Sequence, residues 1–153
     1  MDLIVTSDTH IESRHELPDL PMEGADLVIH AGDFTSEEAY EGFSEYNLRA
    51  VHGNADAEEL KARLPSQDSF EVEEIRVVVV HGHQVSSDQE LRYKGLEMGA
   101  DLLIHGHTHS PSFVERGIGL LNPGSPTQPR GSPPTYAEVK VEEKTFEVSV
   151  IDV

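Results

Sequence analysis

The sequence predicts an α/β fold in which two β-sheets pack together and helices flank them. Through the first two thirds of the chain, apolar segments of strand length alternate with segments of helical composition. The last third contains short strand-like segments with no helical segment between them. The run Ile75–Val80 is almost wholly β-branched, which is typical of a strand that is covered on both faces.

The alternating part begins with two apolar runs, and the segment after them is helical in composition. Ser36 is the predicted N-cap of the first helix, because Glu37 and Glu38 follow it in the first turn. The predicted elements are, in order, strands at Asp2–Thr6 and Asp26–His30, a helix at Ser36–Tyr46, a strand at Leu48–Val51, a helix at Ala57–Leu64 ended by Pro65, an edge or antiparallel strand at Ser69–Glu73, the strand Ile75–Val80, a helix at Ser86–Met98 ended by Gly99, and a strand at Asp101–His105.

The last third is predicted to form a β-meander. Its strands are predicted at Ser112–Glu115, Ile118–Leu121, Tyr136–Val141 and Thr145–Ile151. The chain has 153 residues, with no repeat and no long low-complexity linker, so we expect a single domain over residues 1–153.

The composition limits the classes of partner. The net charge is −18, with only 11 basic residues, and such a field repels nucleic acid and anionic membranes. The acidity fits either a solvated surface or adaptation to a cytoplasm of high salt concentration, where screening removes the self-repulsion. The sequence does not choose between these two interpretations.

The sequence predicts a cytoplasmic protein with no membrane segment. It contains no cysteine, and therefore neither a disulfide nor a thiolate metal site. The N-terminus lacks the basic region of a signal peptide, and no apolar run approaches the length that spans a bilayer.

Five short segments place metal-binding side chains directly after predicted strands, and eight of the nine histidines lie in or beside them. The segments are Asp8-Thr9-His10, Gly32-Asp33, Gly53-Asn54-Ala55-Asp56, His81-Gly82-His83 and Gly106-His107-Thr108-His109. Each segment alone also fits an ordinary turn. Strand ends converge at one edge of an open α/β sheet, and carboxylate, imidazole and amide groups suit divalent ions. Together the segments predict two adjacent metal sites, which is the chemistry of phosphoester hydrolysis.

The ordered set D-x-H, GD, GN-x-D, HGH and GHTH resembles the calcineurin-like metallophosphoesterase superfamily. The short GN-x-D form, with Asn122-Pro123-Gly124-Ser125 and Pro129-Arg130 downstream, is similar to its small YfcE-type branch. That branch also includes the retromer scaffold subunit, which has a stretch similar to His81–Val85. The resemblance covers nearly the whole chain and implies a four-layer α-β-β-α metallophosphoesterase fold.

The resemblance also implies two sets of metal ligands that share Asp33. One metal would be bound by Asp8, His10, Asp33 and His109, and the second by Asp33, Asn54, His81 and His107. A carboxylate can bridge two ions with its two oxygens, and a bridging water or hydroxide would be the nucleophile. The catalytic residues implied in this way are Asp33 and Asn54, with His83 as a candidate near the phosphate.

The chain lacks two residues that assist departure of the leaving group in many relatives. Those relatives have a histidine where this sequence has Ala55, and an acid where it has Ser36. The YfcE-type branch lacks the same pair, so the departure does not predict an inactive protein. It predicts dependence on the metals and on a good leaving group, because general-acid catalysis contributes about a hundredfold or more. His83 could substitute for the missing histidine, or could only support the neighbouring ligands.

Several further polar residues lie near the predicted ligands. His30 and His105 are expected to support ligands or to pack in the core rather than to bind metal. Asp56 is expected to orient a ligating histidine or to accept a helix-start N–H. His15 is predicted to be a surface residue. Ser125, in the predicted turn at residues 122–125, and Arg130, downstream of that turn, are candidate phosphate contacts.

The leading functional prediction is a dinuclear metal-dependent phosphodiesterase acting on small or activated phosphodiesters. One alternative is a non-catalytic protein-interaction scaffold like the retromer relative, which departs from the ligand set at the GD and GN-x-D positions. The other is a nuclease, against which the acidic surface argues. Mn²⁺ or Ni²⁺ is the predicted metal, and Fe or Zn²⁺ also suits these ligands. A small phosphoester is the predicted partner, and the resemblance is compatible with a homodimer or a larger homo-oligomer.

Overall fold

The computed structural model describes all 153 residues, and it forms ten strands and three α-helices. The strands are β1 (Asp2–Thr6), β2 (Leu27–His30), β3 (Leu48–Ala50), β4 (Gln67–Val72), β5 (Ile75–Val80), β6 (Leu102–Ile104), β7 (Ser112–Arg116), β8 (Ile118–Asn122), β9 (Thr135–Glu142) and β10 (Thr145–Asp152). The helices are α1 (Glu37–Phe43), α2 (Glu58–Arg63) and α3 (Asp88–Glu97). None of the three has the length and apolar character that a membrane-spanning helix needs.

The strands form two five-stranded sheets, so the predicted fold class is confirmed. Sheet one has the order β10-β9-β1-β2-β3, and sheet two has the order β4-β5-β6-β8-β7. In sheet one, β1, β2 and β3 run parallel, whereas β9 is antiparallel to β1. In sheet two, β5, β6 and β8 run parallel, and β4 is an antiparallel edge strand, as the sequence predicts.

Three separate apolar clusters divide the molecule into four layers. The largest cluster lies between the two sheets and includes Leu3, Val5, Val77 and Val79. A second lies between sheet one and helices α1 and α2, and a third lies between sheet two and α3. Strand β5 contributes alternate valines to the first and third clusters, which explains why its sequence is apolar throughout rather than alternating.

Helix α1 begins where its sequence predicts. The hydroxyl of Ser36 accepts a hydrogen bond from the N–H of Ala39 at 3.1 Å, which satisfies one of the free N–H groups of the first turn. The helix ends at Phe43, three residues before the predicted end at Tyr46. Phe43 is fully buried against sheet one, and it holds the short helix in place.

The predicted β-meander is wrong, although each of its four strands exists. Strands β7 and β8 pair in sheet two, whereas β9 and β10 pair in sheet one. The segment of residues 123–134 between them contains five prolines. Proline cannot donate a backbone hydrogen bond, so this segment cannot continue the ladder of sheet two. It crosses instead to the other sheet, and it passes over the candidate site on the way.

Candidate metal centre

The five polar segments meet at one rim of the molecule. Each follows the carboxyl end of a parallel strand, namely β1, β2 and β3 in sheet one and β5 and β6 in sheet two. The packing of the two sheets brings these ends together, with Asp8, Asp33 and His81 fully or almost fully buried. The sequence prediction that strand ends converge is therefore confirmed.

The backbone of this rim is unusual, because many of its residues adopt a left-handed conformation without being glycine. Eight non-glycine residues of the chain have positive φ angles, and six of them lie here. The six are Asp8, His10, Asp33, Thr35, His107 and His109, with φ between 46° and 78°. Each such residue carries a conformational cost of about 1 kcal/mol or more. Clustering of this cost at one place is typical of a functional site.

Asp8 and Asp33 each have one carboxylate oxygen held by the protein and one directed at imidazoles. Oδ2 of Asp8 accepts hydrogen bonds from the Ser7 hydroxyl at 2.8 Å and from the His107 N–H at 2.9 Å. Oδ1 of Asp8 has no hydrogen-bond partner and lies 3.6 Å from Nε2 of His109 and 3.7 Å from Nε2 of His81. The free oxygen is therefore oriented as a ligand atom would be.

Asp33 follows the same rule. Its Oδ1 accepts a hydrogen bond from the N–H of Ala55 at 2.9 Å. Its Oδ2 lies 3.1 Å from Nε2 of His81 and 3.3 Å from Nε2 of His10. One oxygen of Asp33 thus faces a histidine from each of the two predicted ligand sets, and the other oxygen is held by the backbone.

Backbone carbonyls orient two of the imidazoles. Nδ1 of His81 donates to the carbonyl of Ala31 at 2.9 Å, and Nδ1 of His109 donates to the carbonyl of Gln128 at 2.6 Å. In each ring this hydrogen bond places the proton on Nδ1 and leaves the Nε2 lone pair directed at the carboxylates. This is the arrangement that holds a histidine for metal binding.

The pKa values of Asp8 and Asp33 are shifted in opposite directions. Burial raises the pKa of Asp8 above its ordinary value, against the opposing charge of His81. Burial acts on Asp33 in the same direction, but the His10 and His81 imidazoles close to its carboxylate hold the pKa of Asp33 well below its ordinary value. Burial also opposes the charged form of His81, and yet the nearby Asp33 carboxylate raises the pKa of His81 overall. Asp33 is thus a buried carboxylate whose charged form is favoured, and a bound cation would stabilise that charge.

The donor atoms fit divalent ions. Three buried atoms without hydrogen-bond partners, Oδ1 of Asp8, Nε2 of His10 and Nε2 of His81, belong to this cluster. Two groups have their ligand atoms within 4.8 Å of one another, and they are Asp8 with His10 and His109, and Asp8 with Asp33 and His81. Nitrogen and carboxylate donors at these separations suit divalent first-row metal ions. Asp8 belongs to both groups, whereas the family pattern gives the shared position to Asp33.

The remaining predicted ligands lie at the edge of the same cluster. His107 is half-buried, and its ring centroid is 5.3 Å from that of His81. Asn54 is exposed in the loop between β3 and α2, and the N–H of the next residue, Ala55, is bound to Asp33. His83 is half-buried, with its ring centroid 5.5 Å from His81 and 6.4 Å from His107, and its Nδ1 has no partner.

Asp56 and His30 lie beside the ligand loops of sheet one, and Asp56 has a different role from the predicted one. Asp56 neither orients a histidine nor caps a helix, because its carboxylate accepts the N–H groups of Asp33, Thr35 and Gly53 at 2.7–3.0 Å. It holds the two loops of sheet one together. His30, as expected, packs in the core, where Gly32 donates to its Nδ1 at 3.1 Å and its ring stacks on Phe34.

His105 and His15 lie where the sequence predicts. His105 is buried, and burial lowers the pKa of its imidazole to about 4, so it is neutral at pH 7. His15 is exposed and lies outside the ligand segments. Neither residue belongs to the groups that could bind metal.

The crossing segment of residues 123–134 supports the site, a role that the sequence revealed only in part. Ser125 is fully buried and its hydroxyl donates to the carbonyl of Asp8 at 2.8 Å, so it is not available for the predicted phosphate contact. Thr127, which the sequence prediction missed, donates through its hydroxyl to the carbonyl of Thr9. The polar residues between the prolines are the signal that could have revealed this role.

Gln128 and Arg130, from the same segment, bind the histidine loops through their backbones. Gln128 accepts from His109 through its carbonyl, and its side-chain amide donates to the carbonyl of His10 at 3.4 Å. The N–H of Arg130 donates to the carbonyl of His109 at 3.2 Å, while its side chain is exposed. The crossing segment therefore joins the two sheets at the candidate site.

Two glycines are required because the ligand loops pass very close to each other. A Cβ atom on Gly53 would lie 2.1 Å from Oδ1 of Asp33, and a Cβ atom on Gly106 would lie 2.0 Å from Oγ of Ser7. Both separations are far below van der Waals contact. These glycines thus allow the ligand-bearing loops to pack directly against each other.

Comparison with known proteins places the chain in a known family. A family model described as a calcineurin-like phosphoesterase superfamily domain matches residues 1–144. A probable metallophosphoesterase from Methanothermobacter thermautotrophicus is 37% identical over 96% of this chain and 90% of its own length. A phosphodiesterase from Methanocaldococcus jannaschii is 28% identical over 99% of this chain and 100% of its own length.

Solved structures share the same fold. A predicted phosphoesterase from Streptococcus pneumoniae has a TM-score of 0.82 and 31% identity, covering 99% of this chain and 88% of that protein. The Escherichia coli phosphoesterase Yfce has a TM-score of 0.68 and 25% identity, covering 92% and 88%. Vps29 from Chaetomium thermophilum has a TM-score of 0.83 at 19% identity, covering 100% and 95%, which shows a common fold alone.

Proposed function

The chain belongs to the calcineurin-like phosphoesterase superfamily, and on that premise we propose that it is a dinuclear metal-dependent phosphodiesterase. The proposed substrates are small or activated phosphodiesters. The observation that carries the proposal is that Asp8 and Asp33 are buried and that each directs one oxygen at two histidines. The histidines that face Asp33 come from both sheets. Such a cluster has no structural purpose of its own, because burying charges without a cation is costly.

The proposed ligands form two sets. One ion would be held by Asp8, His10, Asp33 and His109, and the other by Asp33, Asn54, His81 and His107. In this proposal Asp33 belongs to both sets. Its Oδ2 lies 3.1 Å from Nε2 of His81 and 3.3 Å from Nε2 of His10, which is one histidine from each set.

The proposed reaction is hydrolysis of one phosphoester bond. The oxygen of a water molecule bonds to phosphorus, one phosphorus–oxygen ester bond breaks, and a proton from water is transferred to the departing oxygen. Divalent ions bound at this centre would supply positive charge to the phosphate and lower the pKa of the attacking water. The products are a phosphomonoester and an alcohol.

The protein's own groups give little help to the departing oxygen. Ala55 has no polar side chain, and the hydroxyl of Ser36 is used to cap α1 and to bind the carbonyl of Ile11. His83 is the proposed phosphate contact, since its ring lies beside His81 and His107. Burial, together with the charge of His81, lowers the pKa of His83, so it is neutral at pH 7 and can donate a hydrogen bond. We therefore expect faster hydrolysis of esters whose leaving groups are weakly basic.

Metal and assembly are part of the same proposal. Mn²⁺ or Ni²⁺ is proposed as the ion, with Fe and Zn²⁺ also compatible with the donors. A small phosphoester is proposed as the partner. The single-domain organisation, the cytoplasmic location and assembly as a homo-oligomer stay predictions from the sequence.

The test is hydrolysis of bis(4-nitrophenyl) phosphate by the purified protein with Mn²⁺ or Ni²⁺, compared with the Asp33→Asn variant. We expect metal-dependent hydrolysis by the natural sequence and a loss of about a thousandfold or more in the variant, because metal ions supply several kcal/mol of transition-state stabilisation. Metal analysis should show two ions per chain before the substitution and fewer after it. Asp19→Asn, at an exposed position, is the matched control and should change neither value. Retained activity in Asp33→Asn would contradict the ligand assignment.

A further inference from the structure

A narrow cleft opens beside the candidate metal centre, on the side of His81 and His83. Its wall includes the HGHQV turn, the start of β4 and one residue of α3, Lys94. Because Gln67 pairs with Val80 in the antiparallel ladder of β4 and β5, the start of β4 lies next to His81. The same cleft is therefore lined by the proposed ligand His81 and by a positively charged side chain, Lys94.

Lys94 is available to a ligand. Six of the eleven lysine and arginine side chains form ion pairs with carboxylates, and Lys94 is not among them. It is half-buried in the cleft, although it belongs to a chain with a net charge of −18 in which acidic partners are abundant. A lysine in the last turn also favours the helix dipole, but that role does not require it to face a cleft.

The other polar groups of the cleft complement a lysine. Nδ1 of His83 is buried and has no hydrogen-bond partner. Ser66 and Gln67 are exposed residues that line the same cleft, and they provide a hydroxyl and an amide. One cation, one imidazole and two neutral hydrogen-bonding side chains make a site for an anionic oxygen group.

Resting on the proposed phosphodiesterase function, we infer that the substrate carries a second anionic group, a phosphate or a carboxylate, which binds to Lys94 with Ser66 and Gln67 nearby, while the phosphodiester lies at the metal centre beside His83. Lys94 is a specificity-determining residue in this scheme. The strongly negative field of the protein repels an anionic substrate, so a local cation beside the metal centre offsets that repulsion where the substrate must bind.

A matched set of substrates tests this inference. The three diesters are phenyl 4-carbamoylphenyl phosphate, phenyl 4-carboxyphenyl phosphate and phenyl 4-phosphonophenyl phosphate, so that only the charge and type of one substituent differ. The measurement is the ratio of kcat/KM for each anionic diester to kcat/KM for the neutral one, with the metal-loaded protein. Comparing carboxylate with phosphonate distinguishes the two sources of the anion.

We expect the natural sequence to favour at least one anionic diester, and Lys94→Gln to lower that ratio by about tenfold, as expected for loss of a hydrogen bond to a charged group. Lys94→Arg keeps the charge and should retain most of the preference. Lys140→Gln, an exposed lysine without an ion pair on β9, is the control and should leave the ratio unchanged. Circular dichroism and thermal melting establish that each variant folds.

An equal ratio in the natural sequence and Lys94→Gln would overturn the inference. This result would leave the proposed phosphodiesterase function intact, because the neutral diester is still hydrolysed. Failure to hydrolyse any of the three diesters with metal would instead overturn the proposed function. The two failures are therefore distinguishable.

Discussion

The two sheets contribute different chemistry to the candidate site. Among the candidate ligands, the loops of sheet one carry the oxygen donors Asp8, Asp33 and Asn54 with one histidine, His10. The candidate residues in the loops of sheet two are all histidines, namely His81, His83, His107 and His109. Neither sheet alone carries the whole set of oxygen and nitrogen donors. The site therefore exists only when the two sheets are packed in one relative position.

The contacts across the interface between the sheets show how this position is held. The His81 ring of sheet two donates to the Ala31 carbonyl of sheet one, and the His107 N–H of sheet two donates to Asp8 of sheet one. The crossing segment of residues 123–134 adds hydrogen bonds to both sides. Three kinds of substitution should thus weaken metal binding to different degrees. They disturb the packing between the sheets, the close approach of the ligand loops, and the hydrogen bonds of the crossing segment.

The largest effect is expected from packing. Leu102 and Leu103 are neighbours on β6, both fully buried, with Leu102 between the sheets and Leu103 beneath α3. Substitution of either by alanine should lower the free energy of unfolding by about 2–5 kcal/mol. We expect Leu102→Ala alone to weaken metal binding markedly, because it loosens the contact between the sheets. Urea unfolding and metal titration measure the two quantities, and equal metal affinities in both variants would contradict the idea that inter-sheet packing shapes the site.

A smaller effect is expected from the close approach of the loops. Gly53→Ala should displace Asp33, and Gly106→Ala should displace Ser7 and Asp8, because each new Cβ would lie about 2 Å from an oxygen atom. We expect a loss of about 1–3 kcal/mol in the free energy of unfolding for each variant, together with weaker metal binding. Gly24→Ala is the control, since no atom lies within 4 Å of the position that its new Cβ would take. Thermal melting with and without Mn²⁺ would reveal these changes, and a metal-induced stabilisation equal to that of the unsubstituted chain would argue against displacement of the ligands.

The smallest effect is expected from the crossing segment. Ser125→Ala removes the hydrogen bond to the Asp8 carbonyl and leaves the N–H groups of Thr127 and Gln128 without their acceptor. The expected cost is about 1 kcal/mol in unfolding free energy and about tenfold in metal affinity. Ser149→Ala, at an exposed position on β10, is the control. If both serine variants bound metal equally well, the crossing segment would only connect the sheets.

The sequence predicted most of the secondary structure, since apolar periodicity and capping residues are local signals. The run at β5 and the cap at Ser36 are examples, and both agree with the structure. The pairing of β7 to β10 could not be predicted from the same signals. Two hairpins in one sheet and two hairpins in different sheets have the same pattern of local hydrophobicity, and only long-range packing separates them.

The residue types of the candidate site were determined by the sequence alone. Strand ends followed by carboxylates and imidazoles predict a metal centre wherever those strands converge. The tertiary structure decided which atom of each side chain faces the centre. Asp33 directs Oδ2 at two histidines while its Oδ1 accepts the Ala55 N–H, and Ser125 and Asp56 hold loops instead of touching substrate or capping a helix.

The sequence by itself thus determined the fold class, the strand-end position of the ligands and the kinds of donor atom, because these follow from periodicity and chemical type. Only the tertiary structure decided which donor atoms each sheet contributes to the site, and that Lys94 lines the cleft beside His81. The physical reason is that hydrogen-bond direction and close packing depend on residues far apart in the chain, such as His107 and Asp8. No local pattern in the sequence encodes those contacts.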